Sequence, residues 1–335
     1  MVKKQSSKKL GSRLDSKSKK KSMKIKQLKV KKILTDNEVK ELEGKLLTQK
    51  YFPHIIDENC DVYYLDKGKK ITLARFRKKV IPLKLCQIAL EELEEASKKK
   101  HDNRGAAGGE LNLDLLPKYV NRDMMVKRSK YVIRGYQSLK NGNMVSQIIG
   151  NPVSSNIIGF YDKPDRNLGK GAPQCRLTQF NKNNMLKFKK VTPFLQSINQ
   201  QFKNLMPSQY KKQLARARKT NFVIDKTAFS TVTINHNWRT AVHCDSGDYK
   251  EGFGNLVVCE KGKYQGGYTG FPQFGVAFNV RQGDFLAMDV HQWHGNTKLK
   301  GNPDKYTRMS VVCYLREKMI RCEGLELPSE STVDN

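Results

Sequence analysis

His243-Cys244-Asp245 is the first arrangement in this sequence that could hold a metal. In an extended strand residues i and i+2 share a face, so the imidazole and the carboxylate can meet one ion while Cys244 points away. A three-residue pattern recurs by chance, and its weight depends on a third donor downstream. The run Gly283-Asp284-Phe285-Leu286-Ala287-Met288-Asp289-Val290 leads into His291-Gln292-Trp293-His294-Gly295. Strand alternation puts His294 in phase with Leu286, Met288 and Val290, the apolar, inward set. It puts His291 in phase with Asp289 and Trp293. His294 is therefore the expected third ligand, and His291 is left outside the site. Two histidines and one carboxylate form the facial set of non-haem iron(II) oxygenases, with coordination positions open for a co-substrate and dioxygen.

Fourteen residues further on, Arg308-Met309-Ser310 opens another strand-like run, so Arg308 and Ser310 share a face. A guanidinium and a hydroxyl together suit a carboxylate, which the guanidinium can bind through two parallel hydrogen bonds. In oxygenases of this ligand set that carboxylate is the distal end of 2-oxoglutarate. Taken alone, Arg308 would read as a surface ion pair; the ordered set His-x-Asp, Gly-Asp strand, His-Gly and Arg-x-Ser makes it a co-substrate residue.

These residues need a rigid frame. After Thr220 short β-rich runs alternate with glycine-containing turns, over 229–234, 255–259, 276–280, 285–290 and 309–315. Such spacing predicts a sandwich or barrel. The first half reads differently. Thr35-Asp36-Asn37-Glu38 has the form of a capping box and opens a helix to about Gln49. Residues 71–100 read as helical, with Pro82 kinking or splitting the segment. Residues 101–110 form a glycine-rich loop, and 191–216 a second long helical region with a basic end. The expected division is a disordered Lys-rich arm over 1–34, a helical extension over 35–100, the catalytic domain over 101–320 and a tail over 321–335. The fold class is α+β.

Composition sets the partners. The 335 residues carry a formal net charge of +31. Residues 1–32 hold 14 Lys or Arg against one acid, which leaves +18 on the rest of the chain. Too few apolar side chains remain in that arm to offset chain entropy, so disorder is expected. Lys and Arg release condensed counterions from phosphates, which makes nucleic acid the leading partner. Seven widely spaced cysteines contain no Cys-x-x-Cys pair, and neither a disulfide framework nor a zinc site is expected. No apolar stretch reaches the roughly 20 residues of a membrane span, and the N-terminus lacks a signal-peptide core. The expectation is a reducing, intracellular setting, with the arm directing nuclear entry.

Residues 231–318 resemble the catalytic core of 2-oxoglutarate/iron(II) dioxygenases. They are similar in particular to the TET/J-binding-protein group, which oxidises methyl groups of thymine or 5-methylcytosine in nucleic acid. The residues that carry this are TVTINHNWRTAVHCDSGD (231–248), GNLVVCE (254–260) and GDFLAMDVHQWHGNT (283–297), joined upstream by NRGAAGG (103–109) and IIGFYDKPDRN…CRLTQF (157–180). The resemblance implies a double-stranded β-helix (jelly-roll) core, Fe(II), 2-oxoglutarate with dioxygen, and a flipped-out base as substrate.

An enzyme of that kind must extrude its base or act on single strands, and then needs polar groups for the base edge and flat surfaces for stacking. Asp248, Asn235 and His236 sit beside the metal run and could meet the base or co-substrate, although Ser246-Gly247-Asp248 also reads as a turn. Asn103 and Arg104 could line the substrate channel. Arg176 could lie near the co-substrate, or be a buried structural arginine. The loop Tyr264–Phe271 could stack on a base or close over the iron; Trp293 reads as packing. The rival functions are a protein hydroxylase or alkylated-base demethylase of the same superfamily, and a binding module without catalysis. An intact ligand set with Arg308 argues against the last. Thymine or 5-methylcytosine, and DNA or RNA, stay open from sequence.

Overall fold

The computed structural model describes residues 25–118, 120–138, 142–163 and 174–327. Most of the expected arm, residues 164–173 of the upstream family-like run, and residues 328–335 of the expected tail lie outside them. Two sheets dominate. The larger runs, in spatial order, Lys26–Lys29, Cys60–Asp66, Lys69–Arg77, Phe285–Met288, Gly254–Gly262, Tyr306–Tyr314, Thr231–His236, Val153–Tyr161 and Arg176–Leu177. The smaller runs Gly295–Asn296, Thr269–Phe271, Val276–Phe278 and His54–Ile56.

Period-two alternation explains how the large sheet serves two layers. Val257, Cys259, Phe285, Ala287, Met309, Val311 and Cys313 pack outward on the helices Leu83–Lys98 and Met185–Leu205. Their strand neighbours Leu256, Val258, Leu286 and Met288 turn inward to meet Phe271, Val276 and Phe278 of the small sheet. Phe76 and Phe278 meet edge-on across that interior at 5.8 Å. The result is the expected jelly-roll core, with the two long helices Leu83–Lys98 and Met185–Leu205 on the outer face of the large sheet.

Residues 35–100, expected as a helical extension, carry strands as well as helices. The capping box is present, with Thr35 and Glu38 exchanging hydrogen bonds, but its helix spans only Asp36–Lys40. The chain then turns at Gly44, at φ +78°, where its N–H donates to Val242 O and Val242 N donates to Lys45 O. Tertiary pairing thus ends the helix early. Residues 71–77, expected as helix, belong to the strand Lys69–Arg77, which pairs antiparallel with Phe285–Met288. Pro82 does not kink a helix but starts one as the residue before Leu83, its φ of −56° already helix-compatible. Residues 26–29 pair parallel with Cys60–Tyr63, and His54–Ile56 pair parallel with Val276–Phe278. The N-terminal segment therefore completes both sheets.

The helical region expected over 191–216 is two helices, Met185–Leu205 and Pro207–Ala217. Cys175 and Cys322 form a disulfide across 147 residues, against the expectation of none. Spacing could not reveal it, because the two cysteines meet only after Arg176–Leu177 and the turn Glu317–Cys322 pack into one cluster with Phe160, Phe222 and Met319. Among the described residues no helix is long and apolar enough to cross a membrane.

Candidate active site

His243 and His294 face each other in an antiparallel bridge outside any longer strand. Each backbone N–H donates to the other residue's carbonyl, at 2.9 and 3.0 Å. Residues directly opposite in a ladder send their side chains to one face, and the two rings lie 4.3 Å apart between centroids. Asp245 brings a carboxylate oxygen to 3.5 Å from His243 Nε2 and the other to 3.8 Å from His294 Nε2. One donor atom from each of the three lies within 4.8 Å of the others. The structure thus brings together the three residues expected as ligands, by a different route. Leu286, Met288 and Val290 do face the interior, but the strand ends at Met288 and a turn follows. The bridge, rather than strand phase, aims His294.

The imidazoles are prepared for a cation. His243 Nδ1 lies 2.8 Å from Ala241 O, and His294 Nδ1 2.9 Å from Gln292 O. An N–H at each Nδ1 donates to that carbonyl and leaves the Nε2 lone pair toward the carboxylate. Burial first, then the neighbouring His243, push the His294 pKa down to about 4. That ring is neutral at neutral pH, the form that binds metal. Two imidazoles and a carboxylate fit a divalent transition metal such as iron(II).

Arg308 and Ser310 alternate inward on Tyr306–Tyr314, as expected from their spacing. Arg308 is only 3% exposed, yet among the described residues its Nε and Nη2 have no hydrogen-bond partner. A buried cation with unmet donors is costly, and a carboxylate from outside the chain would relieve it. The Ser310 hydroxyl accepts from Asn235 Nδ2, whose own oxygen accepts from Ser155. Its proton stays free to donate. The backbone at Gly267, at φ +68°, runs so close that a Cβ there would come within 3.2 Å of Arg308 Nε. The residues around this pair therefore fit 2-oxoglutarate.

One cavity of about 740 Å³ joins these groups. His243, Asp245, His294, Arg308 and Ser310 line it, and so do Asp248, Asn103 and Arg104. Burial, then the Asp245 carboxylate, hold the Asp248 carboxyl well above the usual carboxylate range, with Arg316 opposing. Arg104 is half-buried, and among the described residues its Nε has no hydrogen-bond partner. Arg176 also lines the cavity, but it is engaged with the Lys163 and Leu177 carbonyls. Asn235 lines it; His236, next along the strand, points the other way toward Glu94 and Lys98. Tyr264 does not cover the metal residues. Arg281 stacks on its ring at 4.4 Å, in a separate depression. Trp293 packs with Leu47, Phe52 and Val242, as expected.

Arg316, Tyr161 and Trp238 are among the cavity residues that escaped the sequence reading. Arg316 continues the inward phase of Arg308, Ser310, Val312 and Tyr314 and is held by Asp162 at 2.6 Å. Extending the Arg-x-Ser alternation by six residues would have found it. Tyr161 lies under the Arg316 guanidinium at 4.9 Å. Trp238 follows Asn237, whose left-handed φ of +46° turns the chain at the cavity; no local pattern marks it.

A jelly roll with this donor set beside a buried, unpaired guanidinium has the architecture of a non-haem iron oxygenase. Residues 156–317 match the family model Tet_JBP, described as the oxygenase domain of the 2OGFeDO superfamily. The chain is similar to the "Bifunctional helicase and thymine dioxygenase JBP2" of Trypanosoma cruzi, 28% identical over 275 residues, 82% of this chain and 21% of that one. The protein of the same name from Trypanosoma brucei brucei is 35% identical over 171 residues, 50% of this chain and 15% of its own. "Thymine dioxygenase JBP1-B" of Trypanosoma cruzi is 32% identical over 221 residues, 64% and 25% of the two chains. The chain thus spans no more than a quarter of the length of these relatives. A solved structure, "NgTET1 in complex with 5mC DNA", aligns with a TM-score of 0.46 at 11% identity, covering 83% of this chain and 87% of that one.

Proposed function

We propose that this chain is an Fe(II)/2-oxoglutarate-dependent dioxygenase that hydroxylates the methyl group of a base in DNA, with thymine the favoured base. The observation that carries the reading is the convergence, in one cavity, of the His243, Asp245 and His294 donor atoms with the unmet Arg308 donors. Bound iron(II) with 2-oxoglutarate supplies oxidative decarboxylation of the co-substrate coupled to insertion of one dioxygen oxygen into a C–H bond. The chain's own residues do the rest. His243, Asp245 and His294 would hold the metal. Arg308 and Ser310 bind the distal carboxylate and fix the orientation of the co-substrate. The remaining cavity, within the usual range for small-molecule sites, takes the base.

Asp248, Asn103 and Arg104 are the proposed base-side residues. With its carboxyl held protonated, Asp248 donates to a base carbonyl; ionised, it accepts from an amino group. Arg104 offers its free Nε–H to a carbonyl or phosphate oxygen. Thymine is favoured because the relatives above carry thymine dioxygenase in their names, and DNA follows from thymine and from the basic charge. A place of work at DNA, nuclear where the cell has a nucleus, belongs to the same proposal. The test is mass spectrometry of nucleosides after incubation with Fe(II), 2-oxoglutarate and duplex DNA. Arms with unmodified and 5-methylcytosine-containing DNA run in parallel. Hydroxymethyluracil in the first arm is the expected product; only hydroxymethylcytosine in the second would replace thymine, and no oxidised base in either would remove the reading.

A further inference from the structure

The imidazole left out of the metal set, His291, touches the loop that carries the carboxylate. Asp245 stands in a stretch without regular structure. Among the described residues, its carboxylate has only the two ligand imidazoles as neighbours within ion-pair distance. Its position is therefore set through its backbone. Asp245 N–H donates to Val290 O at 3.0 Å. His291 Nδ1 lies 3.2 Å from Asp245 O, and His291 Nε2 lies 3.2 Å from Tyr249 O. One ring thus spans both ends of the segment 245–249, which also contains Asp248. The ring is itself anchored: His291 N–H donates to Asp289 Oδ1, Gln292 donates to Asp289 Oδ2, and Asp289 N–H donates to Leu73 O of the large sheet.

We infer that His291 is the positioning residue of the carboxylate ligand, tying the Asp245 loop to the turn that precedes His294. The inference rests on the iron reading above. The holding tautomer carries its proton on Nδ1 and donates to Asp245 O, the backbone of the ligand itself. A side chain of similar bulk without N–H groups fills the space but holds neither. Groups that orient metal ligands in this way typically affect metal affinity by about 10–100-fold.

The experiment titrates cobalt(II) into the metal-free full chain and reads the d–d absorption, with melting followed by circular dichroism. Wild type is compared with His291→Asn, His291→Gln and His291→Leu. The Asn amide nitrogen reaches the Nδ1 position beside Asp245 O; the Gln amide reaches toward Nε2 and Tyr249 O. The expected order of affinity is wild type, then Asn, then Gln and Leu, with His291→Leu about 10–100-fold weaker and its absorption band altered. Leu with wild-type affinity and spectrum overturns the inference, as does Gln recovering as fully as Asn. Should His291→Leu not fold, Asn against Gln decides it alone. Wild type that takes up no cobalt removes the metal reading itself, a result distinct from either.

Discussion

At the scale of single residues the site divides labour between imidazole donors and a cation without a partner. His243→Ala, Asp245→Ala and His294→Ala are each expected to abolish metal binding and turnover while leaving the fold in place, checked by metal titration and circular dichroism. Arg308→Ala is expected to keep the metal and raise the 2-oxoglutarate requirement strongly. Breaking one side of a buried charge pair costs about 3–5 kcal/mol, so KM for the co-substrate should rise by orders of magnitude; an unchanged KM would remove Arg308 from the pocket. A pH effect follows from His294. Its folded pKa of about 4 lies below the ordinary histidine value. Between the two values the unfolded chain binds the proton and the folded chain does not. Stability of the metal-free protein is therefore whole above roughly pH 6.5 and falls as pH drops toward 4, by about 3 kcal/mol from this group. Urea unfolding at neutral and acid pH, wild type against His294→Gln, measures it. Equal pH slopes in the two proteins would contradict the assignment.

At the scale of elements, short irregular segments do what long strands do not. Within residues 264–271, Gly267 lies against Arg308, Thr269 lines the cavity and the Phe271 ring stands 6.2 Å from that of His294. Gly267→Ala should press on Leu299 Cδ2 and on the guanidinium, and strain a left-handed residue. Its expected signature is a several-fold rise in the 2-oxoglutarate KM with metal affinity unchanged; a simultaneous loss of metal would mean a wider collapse. Likewise, Phe52 sits buried with Leu47, Val242 and Ala277, directly behind the residue preceding His243. Phe52→Ala should cost about 3–5 kcal/mol in chemical denaturation and weaken metal binding with it, because the cavity it leaves lets the 242–243 segment shift.

The whole chain is a polycation of formal net charge +31. Many described lysines already meet acids: Lys187 and Lys190 reach Glu95 and Glu92, and Lys212 reaches Glu251. Exposed pairs of this kind contribute little stability, but they remove charge from any nucleic-acid surface. The segment 1–24, with ten Lys or Arg and one acid, is therefore the natural source of non-specific affinity. Deleting it should leave melting and metal binding unchanged. It should weaken duplex binding and flatten its salt dependence, by about 0.9 in the log–log slope for each phosphate no longer neutralised. The weakening should be similar across sequences, since lysines of this kind meet phosphates rather than base edges. Titrations of full-length and shortened protein at two salt concentrations decide it; identical affinities and slopes would show the arm to be inert. Deletion through residue 57 is a different matter, because it removes the strands at 26–29 and 54–56 that complete both sheets.

The sequence by itself determined what local periodicity encodes. The alternation that joins Leu286, Met288 and Val290, and that joins Arg308 and Ser310, told which side chains share a face, and those faces are as read. The capping box at Thr35 and the residue types around His243 and His294 were legible for the same reason, since each depends on neighbours a few positions away. What only the tertiary structure decided are the pairings between distant segments. The bridge of His243 with His294 aims the second imidazole. The recruitment of Gly44 and Lys45 by Val242 stops a helix, and two N-terminal strands add themselves to sheets built mostly from the second half of the chain. Cys175 meets Cys322, and His291 comes to rest on the Asp245 loop. Periodicity states the face a residue shows and carries no information on which remote backbone will meet it. Those meetings are selected by the packing of the whole core, where burying both sheets outweighs the local preference of any one segment.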